Sequence, residues 1–187
     1  MGQLYEYEAL PAAEKDAVVK KYLDEDLDRL AELINRAERP LIYAGGGVIT
    51  AEASVQLTEL AEKADIPVVS TLMNLGAISR KHPLSLGLAG MHGQKEANQA
   101  VHNSDLLITI GARFSDRVTG DVNHFAKNAV IAQIDIDESE IDKNVVVDLS
   151  LIGDMREILS RLLEKTEKKK NPVWLEKIDS FRVPKAI

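Results

Sequence analysis

From Asp16 to Arg39, apolar residues fall at Val19, Leu23, Leu27, Leu30, Ile34 and Ala37. That spacing predicts a helix with one buried face, which Pro40 stops. "LIYA" (Leu41 to Ala44) predicts a short strand and runs into Gly45-Gly46-Gly47. Thr50 is an N-cap residue by type, so a helix is expected from it through Ala64, with Val55, Leu57, Leu60 and Ala61 on its apolar side. The alternation then repeats. "IPVVST" reads as a strand, "HGQKEANQAVHNS" carries a helix, "DLLITIG" and "AVIAQIDID" are strands, and "VVVDLSL" reads as a further strand. A helix follows from Asp154 to about Lys168 with Met155, Ile158, Leu159, Leu162 and Leu163 inward. Asn171-Pro172 then suits a cap and first turn for a last helix bearing Trp174, Ile178 and Phe181.

Several of these strands are apolar on both faces and are separated by helices. That pattern predicts an α/β fold: a parallel sheet with helices on both faces, because each crossover lays its helix over the sheet. Ligands of such sheets sit at the carboxyl ends of the strands, where strand order reverses. The glycine-rich and charged features of this chain fall just after strands. One domain over residues 16–170 is expected, with 1–15 a linker or expression remnant and 171–187 a helix leading onward.

Composition narrows the classes. A chain of 187 residues can bury roughly 70% of the surface its unfolded form exposes, enough for a core without staples. Zero cysteines remove disulfides, thiolate zinc sites and thiol catalysis. A net charge of −7 argues against a coating of nucleic acid, and "KTEKKKNP" lacks interleaved aromatics, so it reads as a solvated helix end. No apolar run approaches the ~20 residues of a membrane span, and no cationic-then-apolar leader is present. A cytoplasmic protein is expected. His82, His92, His102 and His124 show no metal-ligand spacing with acidic partners, so no metal site is expected.

Four segments carry candidate chemistry. In "YAGGGVIT", Gly45, Gly46 and Gly47 allow either a tight structural turn or close backbone approach to a phosphate; the spacing is not the ordinary dinucleotide fingerprint. Met91 and His92 could flank a flat ring, or be a packed methionine beside a surface histidine. In "GARFSDRVTG", a helical turn over Phe114 to Val118 would place Arg113 and Arg117 on one side, suited to a pyrophosphate; the competing role is an ion pair of Asp116 with one of them. Asp135 and Asp137 end a strand where a carboxylate can accept from a ribose diol, and Asp154 stands where it can cap a helix or meet a ligand.

Taken together and in order, "RPLIYAGGGV", "PVVSTLMNLGA", "HPLSLGLAGMHG", "SDLLITIGARFSDRVTG", "FAKNA", "IDID" and "IGD" resemble the central domain of the acetohydroxyacid synthase (acetolactate synthase) large catalytic subunits. The resemblance covers roughly Leu27 to Leu163, and "GMHG" with "GARF.DRVTG" is its most discriminating part. It implies a six-stranded, Rossmann-like domain holding FAD in an extended pose between two domains that bind thiamine diphosphate and Mg²⁺. By that resemblance Gly45, Gly46 and Gly47 meet the flavin nucleotide. Thr71, Leu72 and Met73, with Gly90, Met91 and His92, line the flavin and ribityl region. Gly111, Ala112, Arg113 and Asp116 approach the ribityl and phosphate portion, Asp135, Ile136 and Asp154 surround the adenosine, and Arg117 lines the channel to the active centre. The parent would join a two-carbon unit from pyruvate to a second 2-oxoacid, for branched-chain amino-acid synthesis, as a homo-oligomer with a regulatory subunit.

The chain departs from the family pattern at Ser115, Asn74, Ile78-Ser79 and Glu138. It also lacks the G-D-G…N-N segment that holds Mg²⁺ and diphosphate, since Gly120-Asp121 and Gly153-Asp154 do not continue to Gly. The segment alone is therefore expected to be inactive. Two rival expectations stand beside this one. The first is a nucleotide-free structural central domain of another thiamine diphosphate carboligase or decarboxylase. The second is a free-standing NAD-dependent, sirtuin-like enzyme, disfavoured by the missing cysteines.

Overall fold

The structure, a computed structural model, describes residues 21–114 and 125–182. Among them six strands form one sheet: β1 Pro40–Ala44, β2 Val68–Ser70, β3 Ser85–Leu88, β4 Leu106–Ile110, β5 Val130–Asp135 and β6 Leu149–Ile152, in the order β3-β2-β1-β4-β5-β6. All neighbours pair in parallel. Strand order reverses between β1 and β4, the arrangement of a doubly wound nucleotide-binding fold.

Helices cover both faces. On one side α1 (Asp24–Arg36), α3 (Ser54–Ala64) and α5 (Met155–Lys165) enclose a core that includes Leu27, Leu30, Ile34, Leu57, Leu60, Ile158 and Leu162, with Ile42, Ile108 and Ile134 of the sheet. Each such side chain is fully shielded, worth roughly 1.5–3 kcal/mol apiece. On the other side α4 (Lys95–Asn103) and α6 (Pro172–Ser180) pack on Leu41, Tyr43, Leu107 and Ile131. Alternate residues of each central strand serve opposite cores, which is why these strands read as continuous apolar runs. Tyr43, Thr109 and Gln133 share a row on the α4/α6 side by register, and the Tyr43 hydroxyl and Thr109 Oγ1 are buried without a partner.

Differences from the expected elements have local causes. Helix α1 starts after Leu23, whose N–H donates to Asp26 Oδ2 at 2.8 Å. Leu23 is thereby outside the helix and exposed, while Ala31 joins the buried face; residues 16–20, with Val19, lie outside the described residues. The helix also ends four residues before Pro40 rather than at Arg39. Thr50 does not cap a long helix: it closes a one-turn helix α2 (Gly47–Thr50), its hydroxyl donating back to the Gly46 carbonyl. Glu52 turns the chain at φ +54° and α3 begins at Ser54, which rotates Val55 out to solvent.

The sixth strand starts only at Leu149, with Val146 exposed; Asp148 leads into it, its N–H donating to the Ile131 carbonyl and its carboxylate accepting from the Ile131 N–H, each at 2.8 Å. Helix α5 stops at Lys165, short of Lys168. Asn171 precedes Pro172 as expected, but its side chain does not cap α6. Its amide donates to the Ala64 and Asp65 carbonyls, and its N–H to Asp65 Oδ2, tying α6 to the end of α3. Trp174 Nε1 donates to the Pro40 carbonyl at 2.9 Å, so α6 docks on the start of β1. The strand that hydrophobic pattern does not mark is β3, a half-buried edge carrying Gly87 at φ +79° with a register shift against β2. At the opposite edge the Lys21 N–H donates to the Ile152 carbonyl in an isolated antiparallel bridge.

Candidate functional site

The residues that follow the carboxyl ends of the strands together line one groove of about 1520 Å³, above the roughly 300–1,000 Å³ usual for small-ligand sites. Strand order fixes the sequence along its rim. Met91 and His92 follow β3, Thr71 to Met73 follow β2, Gly45 to Gly47 follow β1, Gly111 to Arg113 follow β4, Asp135 to Asp137 end β5, and Asp154 follows β6. Five strand spacings make this rim about 24 Å long.

Glycines occupy the centre, at the reversal, because two loops interlock there. A Cβ on Gly45 would stand 2.1 Å from the Gly111 carbonyl oxygen and one on Gly47 2.8 Å from Gly111 Cα. Gly111 itself has φ +55°. The Gly47 N–H donates to the Gly111 carbonyl at 3.0 Å and the Gly111 N–H to Ile134 at 2.9 Å, so β1, β4 and β5 are stitched together at their ends. The tight-turn role of Gly45 and Gly47 is thus required by packing. Gly46 differs: its missing side chain leaves the backbone open toward Met73, whose Cβ would be 3.0 Å away.

The β2/β3 end of the groove is apolar. Leu72 and Met73 sit on a 3₁₀ turn with 68% and 75% exposure, and Met91, at 76%, stands on the neighbouring loop. Met91 is therefore not a packed methionine, and His92 beside it is exposed too. Gly90 is not among the groove-lining residues; it is buried at φ +108° and held by Asn98, which accepts from its N–H and donates to its carbonyl, behind the exposed Met91. Asn74 is fully buried, its Nδ2 donating to Ser70 Oγ at 3.2 Å while its Oδ1 has no partner, and Ile78 is in the core.

The β4/β5 end is charged. Phe114 anchors its loop by stacking on Tyr43 at 6.3 Å, leaving the preceding Arg113 exposed on the rim. Arg113 pairs through Nε with Glu140, at 3.4 Å, and Glu140 also holds Lys143 Nζ at 2.9 Å. Asp116, Arg117 and the expected helical turn to Val118 lie outside the described residues. Asp135 is buried, and its Oδ1 accepts from the Ile136 and Asp137 N–H groups. Burial raises its pKa above the ordinary carboxylate value, partly offset by those two donors and reinforced by the Glu140 and Asp137 charges. Asp137 is shifted down by its bonds from the Ser139 hydroxyl and N–H. Asp154 faces the groove and also caps α5, accepting from the Glu157 N–H at 2.9 Å.

Fourteen expected ligand residues therefore share one groove: Gly45, Gly46, Gly47, Thr71, Leu72, Met73, Met91, His92, Gly111, Ala112, Arg113, Asp135, Ile136 and Asp154. Sequence reasoning missed Ile49, Thr50, Ala51, Glu52, Leu88, Ala89, Glu140 and Met155. Nearness to a strand-end glycine or to Asp154 would have found Ile49, Leu88, Ala89 and Met155, but not Thr50, Ala51, Glu52 or Glu140. A smaller cavity of about 480 Å³ lies near the start of β3, its charges matched as His82–Glu62 and Lys170–Asp65. Among the described residues no cluster of three or more metal-ligating side chains occurs and no helix is long and apolar enough to cross a membrane.

Residues 27–162 match the family described as thiamine pyrophosphate enzyme, central domain. The probable acetolactate synthase large subunit of Methanocaldococcus jannaschii is 51% identical over 155 residues, 81% of this chain and 26% of that protein. The acetolactate synthase large subunit of Corynebacterium glutamicum is 49% identical over 144 residues, 77% and 23% of the two chains. The Escherichia coli acetolactate synthase isozyme 1 large subunit is 40% identical over 171 residues, 91% and 30%. The chain spans about a quarter of the length of these curated relatives.

Proposed function

The chain belongs to the thiamine pyrophosphate enzyme central-domain family, and from that premise we propose that it is the FAD-binding middle domain of an acetolactate synthase large subunit. The observation that carries this reading is the polarity of the groove along the strand order. Exposed Leu72, Met73 and Met91 suit a flat ring system. The glycine backbone at the reversal admits a thin polar chain, Arg113 suits phosphate oxygens, and Asp135 suits a ribose diol. Asp135 Oδ1 is committed to two backbone donors, which orients the carboxylate with Oδ2 available to such a diol. A rim of about 24 Å accommodates a ligand lying stretched across all six strands.

FAD in this setting shapes the active centre of the parent rather than undergoing net redox change. Residues of this chain hold it at both ends and keep its ring over the β2/β3 loops. The parent would decarboxylate pyruvate with thiamine diphosphate and Mg²⁺, both held outside this segment, and add the two-carbon unit to a second 2-oxoacid. Neighbouring domains of the same chain, further copies and a regulatory subunit are the partners this reading supplies, in the cytoplasm.

The test is a titration of FAD with this chain at low salt, followed by flavin fluorescence. Saturable quenching that is weakened by Arg113→Ala supports the proposal. No saturable change would favour a nucleotide-free central domain instead.

A further inference from the structure

We propose that Glu140 is a positioning residue that holds Arg113 by its Nε edge, so that the terminal fork of the guanidinium faces the groove and takes a phosphoryl group of the nucleotide; this rests on the flavin reading above. Glu140 ends the 3₁₀ turn Glu138–Glu140, just beyond the end of β5, and is buried at 8% exposure. Its backbone is fixed on both sides: the N–H donates to the Asp137 carbonyl at 3.1 Å and the carbonyl accepts from Gln133 Nε2 at 3.3 Å. A carboxylate on so rigid a base has little freedom, and its Oε1 meets Arg113 Nε and Lys143 Nζ.

The contact point decides what Arg113 can do. A carboxylate gripping both terminal nitrogens would consume the fork that phosphate needs. Pairing at Nε leaves both terminal nitrogens without an ion pair among the described residues, on a side chain that is itself 76% exposed. The fork can then donate two parallel bonds to phosphate oxygens. Lys143 supplies a second cation at the same carboxylate, so Glu140 does not cancel Arg113 alone; Asp137 lies within the field of both cations. An arginine on a strand-end loop would otherwise lose rotamer freedom on binding, and a clamp that orders it beforehand removes that cost.

Two measurements on this chain test the assignment. In the ligand-free chain, the Arg113 Nε resonance, identified by its loss in Arg113→Met, should shift in Glu140→Gln, which removes the charge paired with it at 3.4 Å. In FAD titrations, Glu140→Gln should weaken binding roughly three- to tenfold with the melting temperature little changed, and it should add no loss in the Arg113→Met background. Should Glu140→Gln fail to fold, Arg113→Lys serves: it keeps a cation beside Glu140 but has no fork, and should weaken FAD binding by a similar factor. A Glu140→Gln loss that persists without Arg113, or undiminished affinity in Arg113→Lys, overturns the positioning role while leaving the flavin reading standing. A chain whose Arg113 Nε resonance responds to Glu140→Gln yet binds no FAD overturns both, with the fault located in the ligand.

Discussion

The carbonyl oxygen of Gly111 lies 2.1 Å from the place a Cβ on Gly45 would take, so the loops after β1 and β4 occupy space that only two side-chain-free residues can share. Gly45→Ala should cost at least about 2–3 kcal/mol of stability, since backbone rather than a flexible side chain would have to move. Gly46→Ala is the contrasting case, meeting Met73 at 3.0 Å on the groove side. It should leave the urea midpoint nearly unchanged and reduce FAD affinity. Equal midpoints for the two variants would refute the interlock.

Thr109 and Tyr43 are register partners whose hydroxyls are buried without hydrogen bonds. An unpaired buried hydroxyl is a penalty that an apolar replacement of the same shape removes. Thr109→Val and Tyr43→Phe are each expected to raise stability by roughly 1 kcal/mol, measured by chemical denaturation. A loss of that size in either variant would show that the hydroxyl has a partner, such as an internal water.

Asp135 couples stability to binding. Its raised pKa means that the folded chain holds the proton more tightly than the unfolded chain, so ionised Asp135 lowers stability at neutral pH. The penalty fades as pH falls through the raised value toward the ordinary carboxylate range. Asp135→Asn should therefore melt at higher temperature than the parent sequence at pH 7, with the gap closing on acidification. The same variant should bind FAD about tenfold more weakly or worse, because it loses a charged acceptor.

Asp154 has a separable structural duty. Removing its bond to the Glu157 N–H in Asp154→Ala should cost about 1 kcal/mol, and Asp154→Asn should recover most of it. If Asn restores stability but not FAD affinity, the charge serves the ligand; if it restores both, capping accounts for the residue.

Much of the architecture was legible because β1, β4 and β5 are buried on both faces and read as mostly apolar runs, with Thr109, Gln133 and Asp135 the polar positions within them. Elements whose character comes from tertiary context were not. β3 has only Leu86 fully inward, and its glycine breaks the register. The start of α3 was displaced because Thr50, a good cap by type, is used one turn earlier, and Glu52 adopts a left-handed conformation that no pattern announces. The groove was readable wherever its residues adjoin strand-end glycines. Glu140 was not: within "DIDESEI" it looks like any surface acid, and only the 3₁₀ turn after β5 carries it inward.

The bridge from Lys21 to Ile152 has a consequence for encounters between copies of this molecule. It occupies part of the outer hydrogen-bonding side of β6 with the chain's own backbone, while the other border of the sheet is a four-residue strand with an irregular ladder. Neither border offers a long, regular template on which a foreign strand could zip. Any contact between copies is thereby directed to side-chain surfaces, and ribbon-like growth into aggregates is discouraged by the same few backbone atoms.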